Sequence, residues 1–346
     1  MQKEGPSNVH PRMRSVDRRA MLRPLTSSEV LDAGTQIYRR IARHVLPKTL
    51  AASSLCAAAF VFCTTFILPN LFVTTTTSTG AEQFTEAAMA ILVTLLVGGP
   101  LFIVGLANAT GPVIRMASDC MMGDEPKLRS AELEGSASVH TLTGVLFGVI
   151  LRAAWIPALG LIAMALSVFA DSLPSQFQMF GALPAILGIG GLAASFFMVP
   201  YVIHRTALAP VICIVEGQTG GRAVKRAGHL MSQDKSLSSP LGASVSFFFM
   251  AIFVYGAVSL GVYGFLQFLN IADFLTSFTT EPWAITLIRG VTDAIPLWVS
   301  LWLIVPFWGS VITALYYDRR VRHEGFDIKT LNEDIAHADR QTALLN

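Results

Sequence analysis

The residues of this chain best suited to chemistry fall in two short polar segments. One lies within Ala207 to Asp234 and carries Glu216, Arg222, Lys225, Arg226 and His229. The other begins at Asp318, where Asp318, Arg319, Arg320, Arg322, His323, Glu324 and Asp327 fall within ten residues. Guanidinium and carboxylate groups form strong, directional hydrogen bonds, to one another or to a phosphate or protein partner. Glu216, Gly217, Arg222, Arg226, Tyr317, Asp318, Arg320, Arg322, Glu324, Gly325 and Asp327 therefore make a candidate cytoplasmic interface cluster. The competing explanation is that these charges anchor and pack loops beneath a membrane bundle, since basic residues gather on that face without any ligand.

Other chemistry is hard to assemble. The chain has no HExxH, no phosphate-cradling GxxxxGK and no GxSxG nucleophile elbow. His140, His204, His229 and His323 do not converge on a metal-ligand spacing, so neither a metal nor another cofactor is expected. Cys56, Cys63, Cys120 and Cys213 sit in or beside apolar stretches. Cys56 and Cys63 share a helix face but stand about 10 Å apart on it, too far for a disulfide. They are expected to be small buried hydrophobes. A formal charge of +2 gives no overall basic field for nucleic acid.

The elements that must position these residues are membrane helices. Of the 346 residues 53% are hydrophobic and only 14% charged, against about a quarter charged in soluble domains, and the mean hydropathy is +0.56. The expected fold is all-α, a polytopic membrane bundle of about six spans with cytoplasmic amphipathic helices. The spans are Thr49–Leu68, Ala87–Ile114, Ala153–Ala170, Phe180–Ile203, Ser244–Leu269 and Ala294–Tyr317. The last is 24 uncharged residues, about 35 Å of helix across a core of about 30 Å. Residues 138–151 are also apolar, and the sequence leaves open whether they enter the bilayer. Residues 1–26 read as a disordered basic tail without a cleavable leader, 27–327 as the membrane domain and 328–346 as a cytoplasmic tail.

Twenty-four of the 25 Lys and Arg residues fall on one side of such a bundle, and only Arg289 falls on the other. This bias places both termini in the cytoplasm. Arg289 and Asp293, four apart, are placed to pair at the outer surface. Val30, Ile37, Tyr38, Ile41 and Val45 recur at helical spacing against Arg39, Arg40, Arg43 and Lys48, with Ser27 or Ser28 as cap. Ala223, Val224, Ala227, Leu230 and Met231 make a second stripe. Both helices are expected in the headgroup plane. Gly144 and Gly148, and Gly256, Gly261 and Gly264, are expected at close helix contacts. No charged residue occupies the central half of any span, which argues against ion-coupled transport.

Pro210-Val211, Glu216-Gly217, the helix Ala223 to Leu230 and the terminal YYDRRVRHEGFD resemble the glycerophosphoryl diester phosphodiesterase membrane-domain family. The likeness is strongest at Leu315–Asp327 and Ala207–Asp234. It implies a bacterial inner-membrane protein of about six spans. Only 19 residues follow Asp327, so no phosphodiesterase domain and no such activity is implied. Ala227 departs from the family, where a serine commonly stands. The resulting expectation is a structural or regulatory membrane subunit. The alternative is a lipid or small-solute handling protein whose basic collar meets anionic phospholipid headgroups. Its partners are the lipid bilayer and a membrane protein, not nucleic acid.

Overall fold

The computed structural model describes residues 23–63, 98–124, 128–171, 182–232, 240–326 and 328. The basic tail up to residue 22, the end of the first expected span, the starts of the second and fourth, Asp327 and the C-terminal tail after residue 328 lie outside them.

Nine helices occupy the described residues: α1 Ser27–Phe62, α2 Gly99–Met121, α3 Leu128–Asp171, α4 Ala182–Thr206, α5 Ala209–Val215, α6 Gly220–Ser232, α7 Pro240–Phe268, α8 Ile271–Thr276 and α9 Pro282–Glu324. No strand occurs among them. Five stretches are long and apolar enough to cross a membrane: α1, α2, Val139–Gly160 of α3, Leu183–Val215 through α4 and α5, and α9. Ile252–Phe268 of α7 is a shorter apolar stretch. The protein is an all-α membrane helix bundle.

Local chemistry sets the helix ends. Thr26, one residue before the expected cap, accepts from the Glu29 N–H, while the Glu29 carboxylate takes the Thr26 N–H at 2.7 Å. This reciprocal pair satisfies two of the donors that a helix start leaves open. At the other end of the chain Gly325 takes the left-handed conformation, φ 58°, and its N–H closes onto the Arg320 carbonyl. A side chain there would be strained, which is why glycine ends α9.

The long helices outreach a bilayer. With 43 and 44 residues, α9 and α3 each run about 65 Å, roughly twice a hydrocarbon core of about 30 Å. Their projecting parts must be covered by protein, and there the core is found. Val30, Ile37, Ile41 and Val45 of α1 pack with Val113, Ile114 and Met116 of α2, Leu142 and Val145 of α3 and Val311 to Tyr317 of α9. Helix α5 and the stripe Ala223, Val224, Ala227, Leu230 and Met231 of α6 complete this cap. All four cysteines are buried free thiols.

Several expectations are revised by this packing. The amphipathic N-terminal segment is the first half of the continuous helix α1, and its stripe faces protein rather than lipid headgroups. The α6 stripe is likewise covered, by α3, α5 and α4. The apolar run Ala294–Tyr317 is divided: residues from Val305 onward are mostly protein core, although hydropathy alone suits them to lipid. Arg289 and Asp293 do share the helix α9, but among the described residues no ion pair joins them.

Helices α1 and α9 form the most extensive packing pair and run antiparallel. Trp298 and Trp302 donate their indole N–H groups to the Leu50 and Leu46 carbonyls at 3.3 and 2.8 Å. A Cβ added at Gly34 would stand 2.7 Å from Val311 Cγ2, and one at Gly309 would stand 2.6 Å from Val113 Cγ1. The close approaches thus use these glycines. Gly144, Gly148, Gly256, Gly261 and Gly264 have nothing within 4 Å of an added Cβ, contrary to the expectation from spacing. Away from the cap the surface is apolar and exposed, as at Phe197 (75%), Phe253 (73%) and Phe268 (81%).

Candidate functional site

The last turns of α9 carry charges on two faces. Tyr316, Arg320 and Glu324 recur every four residues, so they stack along one face, while Asp318 and Arg322 stack along another.

The first face meets the loop after α5 and helix α6. The Tyr316 hydroxyl donates to Glu216 at 2.8 Å, and Arg320 donates to Glu324 at 3.0 Å and to the Tyr316 oxygen at 3.3 Å. Arg226 of α6 bridges, donating to Glu324 and standing 3.4 Å from Glu216. Two carboxylates and two guanidinium groups close a neutral set. Burial would favour the neutral forms of both Arg226 and Glu324, but the pairing outweighs it. It holds Glu324 below the ordinary carboxylate range and Arg226 above its ordinary value.

The second face holds the chain's beginning. Asp318, whose side chain is only 2% exposed, accepts from the Leu25 N–H at 2.8 Å and from Arg322 Nε at 2.9 and 3.1 Å. Arg322 also donates to the Leu25 carbonyl. The buried Arg319 guanidinium lies 3.9 Å from Asp318. Between the faces, Tyr317 shares a 2.7 Å hydrogen bond with Ser118 of α2 and contacts the Tyr316 and Phe326 rings.

Of the eleven candidate residues, Glu216, Arg226, Arg320 and Glu324 form one network and Asp318 and Arg322 another. Tyr317 bonds α2, Gly325 caps α9, and Asp327 lies outside the described residues. Gly217 and Arg222 line a cleft of about 550 Å³ with Thr219, Lys225 and His229, which Arg226 of the first network also borders. Sequence reasoning passed over Tyr316 and Ser118, although the four-residue spacing of Tyr316 before Arg320 was there to read.

It also passed over a larger cleft, about 710 Å³, between α3, α4 and α6. Arg152 and Trp155 come from α3, Tyr201 and Arg205 from α4, and Lys225 and His229 from α6. Arg205 donates to the Tyr201 hydroxyl at 3.3 Å and lies 5.8 Å from the centre of its ring. Among the described residues no carboxylate lines this cleft. The Tyr201–Arg205 and Arg152–Trp155 spacings, four and three residues, were the sequence signal.

These features belong to a membrane helix bundle with a polar-sealed cap. Comparison with protein-family models, with curated proteins and with solved structures finds no match.

Proposed function

We propose that the chain is a multi-span protein of a bacterial cytoplasmic membrane, with both termini on the cytoplasmic face, acting as a structural or regulatory subunit. The positive-inside bias of its Lys and Arg residues supports the orientation. The resemblance of its terminal YYDRRVRHEGFD and of Ala207–Asp234 to the glycerophosphoryl diester phosphodiesterase membrane-domain family supports the bacterial setting.

The observation that carries the role is the closed network Glu216–Arg226–Glu324–Arg320. Its charges are consumed within the chain, so it serves a fixed cap on the bundle better than a phosphate-binding site. A fixed cap is a suitable platform for a second protein. Native mass spectrometry of the assembly extracted in its own lipid, with mild cross-linking, tests this. A stoichiometric partner cross-linked through the cap is expected, and a chain recovered alone from native membranes would overturn it.

A second reading, lipid or small-solute handling, is favoured by the carboxylate-free cleft between α3, α4 and α6.

A further inference from the structure

Two groups of cations among the described residues contrast. Arg226, Arg320 and Arg322 have carboxylate partners within the cap. Arg152, Arg205 and Lys225 have none among the described residues, yet three helices bring them to one cleft. Gathering like charges is unfavourable unless something negative joins them, because each repels the others at short range. Two aromatic side chains share the cleft, Trp155, 54% exposed, and Tyr201, 43% exposed. Amphipathic rings of this kind prefer the boundary between headgroups and hydrocarbon.

What lies beside the cleft is apolar. On α3 the chain continues past Trp155 to Leu159 and Ile162, each 56% exposed, and Phe197 of α4 lies one turn from Tyr201. Helices α3 and α4 touch closely here, with an added Cβ at Gly160 standing 3.1 Å from the Leu192 nitrogen. Among the described residues the α3–α4 face is thus cationic and aromatic at the cleft, with exposed apolar side chains of both helices beyond it.

The geometry points to this cleft as a binding site for the phosphate headgroup of an anionic phospholipid, with the acyl chains laid along the exposed α3–α4 face. Arg152, Arg205 and Lys225 meet the phosphate oxygens. Trp155 and Tyr201 fix the depth of the glycerol region. A soluble phosphate ester shares the headgroup chemistry, but the exposed leucine, isoleucine and phenylalanine beside the cleft favour a ligand with hydrocarbon. The site stands whether or not a protein partner binds the cap.

The test uses the full chain in bilayer discs of equal phosphatidylglycerol and phosphatidylcholine, released for native mass spectrometry to count retained lipids. The wild type is expected to keep phosphatidylglycerol preferentially. Each of Arg152→Gln, Arg205→Gln and Lys225→Gln should lower that retention roughly fivefold, the effect of one cation near an anionic headgroup. Arg39→Gln, Arg40→Gln and Arg43→Gln combined remove the same charge from the exposed face of α1 and should leave retention unchanged. Equal loss in that control, or full retention in a triple variant that combines Arg152→Gln, Arg205→Gln and Lys225→Gln, would overturn the site. Should the triple variant fail to fold, Lys225→Gln alone, at an exposed position, carries the same readout. Millimolar inorganic phosphate should not displace the lipid. Displacement by it, with no preference between the two lipids, would reassign the cleft to a soluble phosphate.

Discussion

Asp318 accepts a hydrogen bond from the backbone N–H of Leu25, 293 residues earlier in the chain. Arg322 holds the carbonyl of the same residue, so both backbone polar groups of Leu25 are bound by the end of α9. The contact recognises backbone, and what it requires of the sequence is at positions 318 and 322.

Asp318→Ala should therefore free the start of the chain. It leaves a buried N–H without its acceptor and removes a carboxylate beside the buried Arg319, a change that typically costs about 3–5 kcal/mol. Hydrogen exchange at the Leu25 amide should accelerate by orders of magnitude, and the unfolding temperature should fall. Unchanged exchange at Leu25 would refute the clamp.

The Arg226–Glu324 pair is partly exposed, 27% and 18%, so its strength is screened by solvent. Arg226→Gln and Glu324→Gln should each destabilise by about 1–2 kcal/mol. Because Glu324 also serves Arg320, the double variant should lose less than the two single losses added. Thermal unfolding of all four proteins in one detergent supplies the cycle, and strict additivity would contradict the network.

Acid should loosen the same network. The folded carboxyl of Glu324 is held below its ordinary value, so its stabilisation is complete above the ordinary carboxylate range, about pH 4, and is lost as pH falls through the depressed value. Unfolding temperatures recorded from pH 7 down to pH 3 should fall more steeply for the wild type than for Glu324→Gln. Parallel curves would remove Glu324 from the acid response.

Glycine positions give a packing test. Gly34→Ala drives a methyl group against the Val311 backbone Cα, 2.8 Å away, as well as its side chain, so it should cost about 1–3 kcal/mol, and Val311→Ala should recover little of it. Gly144→Ala meets open space and should be neutral or slightly stabilising through helix propensity. Equal stabilities of the two single variants would refute the close approach of α1 to α9.

The helical class was legible because long uncharged runs admit few other solutions, and the burial of the four cysteines followed from their apolar surroundings. The direction each stripe faces was not legible. Val30, Ile37, Ile41 and Val45 have the same period whether they meet acyl chains or Val311, and only the position of α9 decides. The glycines failed for a related reason. Gly144 and Gly148 share a spacing, but a close approach needs a partner at the same level, which Gly34 has in Val311. Within the candidate cluster, neighbours four apart on α9 could be read from the chain. The join of Glu216 and Arg226 to Tyr316 and Glu324, about 100 residues away, depends on the fold.

The antiparallel pairing of α1 with α9 also sets a timetable for synthesis. The stripe of α1 is made long before the residues that cover it, Val305 onward. For most of translation that stripe stands uncovered by its final neighbour, in a state open to misassociation. The cap is therefore completed only after α9 is released. A ribosome stalled before residue 305 should hold a chain whose earlier membrane helices can already be inserted but whose Leu25 has not yet met Asp318 and Arg322.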